Sequence, residues 1–157
     1  MPPDLKRVAA STTILAMAKE EIDKDVRKAL QEAFKDLRDS VTIEVFTEEG
    51  VNDPYNKAAV DLIKTIAGLS PKIRAHFYTL KDDQAATRDV KRSPTVLVAP
   101  DRYRIRFTGA PLGEEGRSLV LSIIMASTRG VAISPETLKR LQDLRDPRQV
   151  QVYVSPT

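Results

Sequence analysis

The sequence predicts an α/β protein whose mixed four-stranded sheet is covered by helices on both faces, with one extra helix at the N-terminal end. The first observation is a strand pattern over 41–46, a helical pattern over 54–67 and a second strand pattern over 73–78. Together these make a βαβ unit, which is normally parallel and right-handed. The second observation is a pair of short strand patterns near 95–99 and 103–107. The turn between them is so short that they should form an antiparallel hairpin.

Helical patterns precede and follow these strands. From Glu20 to Arg38 the apolar residues share one helical face, which needs a sheet or another helix to cover it. A short polar helix is predicted over 82–90, and a longer helix over 114–128. Ser134-Pro135 is typical of a helix start, with a hydroxyl cap and proline at the first position, and Asp146-Pro147 should close that last helix.

The loop after the first strand carries the sequence Asn52-Asp53-Pro54-Tyr55-Asn56. Aspartate suits an N-cap because its carboxylate accepts hydrogen bonds from the free amides of the first turn. Proline suits the first helical position because no amide hydrogen is needed there. We therefore expect Asp53 to cap a helix that begins at Pro54. A well-capped helix with no further role is the plainest interpretation of this segment.

Composition excludes several classes of function. The 157 residues are 41% hydrophobic, which is sufficient for the core of one domain. The charged residues make up 30% of the chain, and the formal net charge is +3. The sequence lacks the block of like charge that would indicate a nucleic-acid partner. The chain has no cysteine and one histidine, which excludes disulfides, a cysteine nucleophile and thiolate or multi-histidine metal sites. Glycine-rich phosphate loops are also absent, so we expect no metal and no cofactor.

Both ends of the chain leave alternatives open. Residues 1–19 should form a leader or a helix rather than a signal peptide, because Asp4 and the polar stretch 11–13 interrupt the pattern of a signal. No run approaches the ~20 apolar residues of a membrane span, so we expect a cytoplasmic protein with no membrane partner. The last residues, 150–157, repeat the pattern of 41–47. They fit either an ordinary edge strand or the first strand of a second unit.

Four segments carry a resemblance to a known family: Phe46-Thr47, Asp53 to Asn56, Arg92 to Thr95, and Arg106 to Gly113. Together they resemble the protein disulfide oxidoreductases of thermophiles, which fuse two glutaredoxin-like units. They also resemble the related N-terminal region of the flavoprotein subunit of alkyl hydroperoxide reductase. The match covers about residues 20–157. The Gly-Ala-Pro-Leu-Gly loop is its more specific part, and the Ser-Pro-Thr element is the weaker one.

The resemblance implies a thioredoxin fold with a degenerate redox loop at Asp53, Pro54, Tyr55 and Asn56, where glutaredoxins have Cys-Pro-Tyr-Cys. A cysteine in place of Asp53 would lie at the positive end of the helix, which lowers the pKa of a thiol and favours the thiolate nucleophile. A carboxylate profits from the same field, but it cannot exchange disulfides. We therefore expect no catalytic residue in this chain.

The resemblance also implies a substrate-binding element at Arg92, Ser93, Pro94 and Thr95. In the family, the proline matching Pro94 is cis and lies beside the redox loop, where flanking backbone groups bind an extended substrate. In the flavoprotein relatives the first unit likewise lacks its cysteine pair, and the second unit does the chemistry. Thr157 would here directly precede the first cysteine of that second unit.

Three functions stay open. The one we favour is a redox-silent thioredoxin-fold domain that serves as scaffold or docking unit for a redox protein or a second, disulfide-exchanging domain. Alternatively, the chain is a fragment of an active protein disulfide oxidoreductase, which leaves open whether the full-length protein is an enzyme. A third interpretation is a thioredoxin-like adaptor that binds peptides or anions without a redox role.

The predicted divisions of the chain are a leader or helix over 1–19, a thioredoxin-like domain lacking Cys-x-x-Cys over 20–130, and a connecting helix with the first strand of a possible truncated second unit over 131–157.

Other candidate sites rest on less. The alternate arginines of 102–106, with Lys91 and Arg92 nearby, could hold a phosphate or a carboxylate. Such a row is also typical of the solvated face of an edge strand. His76 is predicted to be an ordinary strand residue. A Ser/His/Asp triad built on it has no supporting local motif.

Overall fold

The computed structural model describes residues 24–131 and 133–151. Its elements are α1 (Lys24–Ala33), β1 (Val41–Thr47), α2 (Asp53–Ala67), β2 (Ile73–Thr79), α3 (Asp83–Thr87), β3 (Thr95–Val98), β4 (Ile105–Thr108), α4 (Glu114–Thr128) and α5 (Pro135–Gln142). This order confirms the α/β fold class expected from the sequence. The predicted leader and nearly all of the predicted final strand lie outside the described residues.

The four strands form one mixed sheet in the order β2-β1-β3-β4. β1 and β2 run parallel, with Val41 opposite Ile73 and Thr47 opposite Thr79, because α2 carries the chain back to the end of the sheet where β1 began. β1 pairs antiparallel with β3, and β3 pairs antiparallel with β4. The predicted parallel βαβ unit and the predicted hairpin are both confirmed.

The larger core lies between one face of the sheet and the helices α2 and α4. Its members are at most 4% exposed, and they include Val41, Ile43, Val45, Ile63, Ile66, Val96, Val98, Leu119 and Ile123. Burial of one such side chain stabilises the fold by roughly 1.5–3 kcal/mol. This packing fixes α2 against the sheet, and with it the position of the loop that precedes α2.

The opposite face of the sheet carries a smaller core and a buried ion pair. The apolar members of this core are Phe46, Ala85, Val90 and Leu97, so α3 covers this face. Glu44, only 4% exposed, accepts hydrogen bonds from Nε and Nη2 of Arg88 at 2.9 Å and from Nε2 of Gln84 at 3.0 Å. Arg88 Nη2 also donates to Asp101 at 2.6 Å. The hydrogen bonds to Glu44 and then to Asp101 raise the pKa of Arg88 above its ordinary value.

The hairpin and the short helix have different ends from those predicted. β4 begins at Ile105 rather than at residue 103, because the amides of Arg102 and Tyr103 both donate to the carbonyl oxygen of Ala99 and extend the turn. α3 ends at Thr87 rather than at residue 90. The left-handed φ of 49° at Asp89 breaks the helical path before Val90, whose amide donates to Ala85.

The first and last helices are also shorter than predicted. α1 ends at Ala33, because the amides of residues 35 and 37 donate to carbonyl groups three residues earlier and tighten the chain into turns. α5 starts as predicted, with the hydroxyl of Ser134 accepting from the amide of Thr137 at 3.1 Å. It ends at Gln142, four residues before the predicted stop.

Candidate functional site

The loop from β1 to α2 is held in a different way from the one predicted. Asn52, with a left-handed φ of 58°, directly precedes the helix, and its carbonyl oxygen accepts from the amides of Tyr55 and Asn56 at 2.9 Å. Asp53 is the first helical residue, and its Oδ1 accepts from the amide of Gly50 at 2.9 Å. The prediction that Asp53 caps the helix was therefore wrong, because its carboxylate turns back to the loop. Its negative charge still suits the positive end of the helix.

Asn56 anchors this loop from below. The residue is 8% exposed, and its side-chain amide Nδ2 donates to the carbonyl oxygens of Glu48 and Val51, both at 2.8 Å. Its Oδ1 accepts from the hydroxyl of Ser93 at 2.7 Å. Both donor hydrogens and the acceptor oxygen of the carboxamide are thus used, which satisfies a polar group that would be costly to bury unpaired.

Ser93 joins the loop to the segment before β3. Its hydroxyl oxygen also accepts from the amide of Glu48 at 2.7 Å, and its carbonyl oxygen accepts from Nδ2 of Asn52 at 2.8 Å. The peptide bond between Ser93 and Pro94 is cis, and the side chain of Pro94 is fully buried. Three hydrogen bonds therefore clamp the loop after β1 onto a residue about forty positions later in the chain.

These segments border an open groove with a volume of about 420 Å³. It is lined by residues from the stretches 48–55, 91–94 and 108–109 and by Leu80. Four of the eight predicted site residues line it: Tyr55, Arg92, Ser93 and Pro94. The other four do not line it: Asp53, Pro54, Asn56 and Thr95. The structure thus brings half of the predicted site to one surface.

The wall of the groove is fixed by hydrogen bonds to its main-chain carbonyl oxygens. Thr95 begins β3, is 1% exposed, and its hydroxyl donates to the carbonyl oxygen of Arg92 at 2.7 Å. The amide of Gly109 donates to the carbonyl oxygen of Pro94 at 2.8 Å. Thr95 therefore supports the groove from behind, and the strand that precedes Gly109 holds the cis-proline segment in place.

Sequence reasoning missed six residues of this surface: Glu48, Val51, Asn52, Leu80, Thr108 and Gly109. A signal existed for Asn52, because asparagine is enriched several-fold at positive φ among non-glycine residues and it directly precedes an Asp-Pro helix start. Glu48 contributes only its main-chain amide and carbonyl groups to the hydrogen bonds with Ser93 and Asn56, so its residue type carries no signal.

The rim of the groove is positively charged on one side. Lys91 and Arg92 both line it, and the ammonium group of Lys91 lies 2.8 Å from a carboxylate oxygen of Asp89. The hydrogen bond from Lys91, together with the attraction of its charge, lowers the pKa of Asp89 below the ordinary value. Arg92 therefore contributes a cation next to Ser93, while Lys91 is partly neutralised by its neighbour.

The arginine row lies away from this groove and is engaged elsewhere. Arg102 contacts Asp39 and the carbonyl oxygen of Ser40, both at 3.3 Å. Arg106 donates to the carbonyl oxygens of Arg88 and Asp89 just after α3. Two of the three arginines thus hold parts of the fold together. Arg104 lines a separate cavity of about 530 Å³ beside β4.

Other chemistry is not assembled in the part of the chain that the structure describes. His76 is exposed on β2, with its ring centroid 6.4 Å from that of Tyr78. The hydroxyl of Ser93 is bonded to Asn56 and Glu48 rather than to a histidine. Over residues 24–131 and 133–151, no group of three His, Cys, Asp or Glu side chains could hold a metal ion. Over the same residues, no helix is both long enough and apolar enough to cross a membrane.

Comparison with solved structures supports the resemblance. The chain superimposes on a protein disulfide oxidoreductase from Aeropyrum pernix with a TM-score of 0.67 and 26% sequence identity, over 79% of this chain and 56% of that one. It superimposes on the alkylhydroperoxide reductase AhpF from Enterococcus faecalis with a TM-score of 0.65 and 22% identity, over 77% of this chain and 60% of that one. The N-terminal domain of AhpF, solved separately, gives the same TM-score and identity, over 75% of this chain and 58% of that domain.

No protein-family model matches the chain, and no curated protein sequence matches it. The chain spans between 56% and 60% of the length of these solved structures. The predicted thioredoxin-like fold is confirmed, and so is the predicted structural likeness to a protein disulfide oxidoreductase and to the N-terminal domain of AhpF. The fold is therefore one that serves thiol–disulfide chemistry, in a sequence that has no thiol.

Proposed function

We propose that this chain is a redox-silent thioredoxin-fold unit that docks an extended segment of a redox partner, whose thiols do the disulfide exchange. The observation that carries the proposal is the buried carboxamide of Asn56. It stands where the resemblance places the second cysteine, and it is fully bonded to Glu48, Val51 and Ser93. A carboxamide cannot form a disulfide, but it holds the loop and the cis-proline segment together around the groove.

Disulfide exchange needs a thiolate that attacks a disulfide sulfur. With aspartate and asparagine at the two positions, the chain has no thiol that could reduce a disulfide or form a mixed disulfide. Binding has no such requirement. A groove lined by the Ser93-Pro94 segment and by one exposed aromatic ring, Tyr55, suits an extended peptide, because a peptide backbone can be recognised by hydrogen bonds while one side chain packs on the ring.

The partner we propose is a redox protein or a second thioredoxin-like unit. The likeness to the Aeropyrum pernix protein, which is a protein disulfide oxidoreductase and of which this chain spans 56%, supports this choice. The alternative that the chain is one piece of such an oxidoreductase leads to the same role for this unit. A cytoplasmic location also stays a prediction.

Two tyrosines with similar exposure allow a matched test of docking. Tyr55, 39% exposed, lines the groove, whereas Tyr103, 37% exposed, lines the separate cavity beside β4. The probe is a fluorescent, alkylated insulin B chain, and binding is followed by anisotropy. We expect Tyr55→Ala to weaken binding roughly fivefold or more, as for an aromatic residue central to an interface. Tyr103→Ala should leave it unchanged. Equal binding by all three proteins, or no binding by any, would contradict docking in this groove.

A thioredoxin-like adaptor with no redox connection is the second candidate, and the cations on the rim favour it. Lys91 and Arg92 border the groove, so an acidic peptide would gain attraction there. The two candidates differ in salt dependence. An adaptor for anions should prefer an acidic probe and lose affinity as salt rises, whereas docking through main-chain groups should change little between low and physiological salt.

A further inference from the structure

We propose that Asn52 occupies the docking groove from within, so that its side-chain amide regulates the affinity for an extended peptide. The inference rests on the proposed docking function and adds the residue that controls it. The observation is the hydrogen bond of 2.8 Å from Nδ2 of Asn52 to the carbonyl oxygen of Ser93, two residues that both line the groove. A carboxamide N–H is chemically the same donor as the backbone N–H of a peptide.

The neighbouring acceptors of this segment show why the Ser93 carbonyl is the one that matters. The carbonyl oxygen of Arg92 is taken by the hydroxyl of buried Thr95, and that of Pro94 is taken by the main-chain amide of Gly109. Both partners are fixed parts of the sheet and its following loop. Of these three carbonyl groups, only that of Ser93 accepts its hydrogen bond from the side chain of an exposed residue. It is therefore the acceptor of this segment that an incoming peptide amide can claim.

Asn52 is able to leave this position at small cost. The residue is exposed and precedes the helix, whereas Asn56, which accepts a hydrogen bond from the hydroxyl of Ser93, is buried. Rotation of the Asn52 side chain into water exchanges one hydrogen bond for another and leaves the other two hydrogen bonds of the clamp, both made by the hydroxyl of Ser93, in place. The peptide must displace the amide before it binds, so the measured Kd equals the intrinsic Kd divided by the fraction of molecules in which the acceptor is open.

The backbone at Asn52 guides the choice of variant. Its φ of 58° is left-handed, a conformation that glycine adopts without strain and that aspartate also tolerates. Asn52→Gly removes the side chain, and Asn52→Asp keeps its size but removes the N–H donors. Both free the carbonyl of Ser93. Glu49→Gly serves as the control, because it adds a glycine to the same loop at an exposed residue that does not line the groove.

The experiment measures binding of the alkylated insulin B chain to the wild type and the three variants, after thermal unfolding has confirmed that each one is folded. We expect Asn52→Gly and Asn52→Asp to bind roughly two- to tenfold more tightly, the ratio that corresponds to the net free energy of one hydrogen bond. Glu49→Gly should match the wild type. The side-chain NH₂ signals of Asn52 in the wild type should also shift toward the positions of a solvated amide when peptide is added.

The results separate this inference from the function on which it rests. If the wild type binds and neither Asn52 variant binds more tightly, the regulatory role of Asn52 is wrong and docking stands. If Glu49→Gly gains as much as Asn52→Gly, loop flexibility explains the gain and the role of Asn52 is again wrong. If no protein binds the probe, docking in this groove fails, and the role of Asn52 fails with it.

Discussion

Two buried polar clusters hold this fold together, and they are built from different chemistry. Beside the groove, the side chains of Asn56 and Ser93 are neutral and bond mainly to main-chain groups of the loop after β1. On the other face of the sheet, Glu44 and Arg88 form a charged pair that extends to Asp101. The first cluster fixes a loop, and the second fixes the helix α3 against the strands.

The difference shows what each cluster can tolerate. When one member of a neutral hydrogen-bond network is removed, no charge is left unpaired in the protein interior. The cost in stability is then only that of the polar groups that lose their hydrogen bonds. A buried charge that loses its partner carries the penalty of its own desolvation. The groove is therefore attached to the sheet by the cluster whose loss should cost less free energy of unfolding.

The largest effect should come from the charged cluster. Glu44→Ala leaves Arg88 beside the sheet with one exposed partner, Asp101, whose side chain is 74% exposed. We expect a loss of about 3 kcal/mol in the free energy of unfolding, measured by urea denaturation. The matched variant Asp101→Ala removes the exposed partner of the same arginine and should cost less than about 1 kcal/mol. Similar losses for the two variants would mean that burial does not set the strength of this cluster.

The neutral cluster should respond less strongly. Asn56→Ala leaves the carbonyl oxygens of Glu48 and Val51 and the hydroxyl of Ser93 without their present partner. We expect it to lower the free energy of unfolding by about 2 kcal/mol, because buried polar groups then lack hydrogen bonds. Asp53→Ala, which removes one exposed hydrogen bond to Gly50, is the control and should cost about 0.5–1 kcal/mol. A smaller loss for Asn56→Ala than for Asp53→Ala would contradict the anchoring role.

The two clusters also show which features could be predicted from the sequence and which could not. The βαβ unit and the hairpin followed from local periodicity, which needs no partner from elsewhere in the chain. Glu44 alternates with apolar residues in β1 and gives the pattern of a strand with one polar face. It is nevertheless buried, because α3 covers that second face. The partner of Glu44 is Arg88, which lies 44 residues later in the chain, and no local sequence pattern predicts this pairing.

The site was predictable only in part for the same reason. Asp-Pro correctly indicated the helix start to within one residue, but the position before it was filled by Asn52 in a left-handed conformation. Asn56 lies in the first turn, where a polar residue is normally exposed. The partner of its side chain is Ser93, which is 37 positions later and is brought beside it by the pairing of β3 with β1. The groove itself therefore could not be derived from spacing.

The smallest predicted effect lies on the rim of the groove. The hydrogen bond and charge of Lys91 lower the pKa of Asp89, so the stabilisation from this contact is present above the ordinary value of 3.8 and is lost as the pH falls through the lowered pKa. Lys91→Met should raise the pKa of Asp89 most of the way back toward 3.8, as measured by carboxyl NMR titration. An unchanged pKa would show that Arg106, the weaker of the two positive neighbours, holds it down instead.

The most direct test of the central claim asks whether this loop is a redox loop that lacks only its thiols. In the double variant Asp53→Cys/Asn56→Cys, the first introduced thiol lies at an exposed helix N-terminus and the second lies buried below it. Thiol titration should then give one pKa below the free value of about 8.5. The variant should form an internal disulfide and reduce insulin above the background of the wild type, which has no cysteine. Two thiols that titrate normally and form no disulfide would contradict the claim and leave a helix start with no redox ancestry.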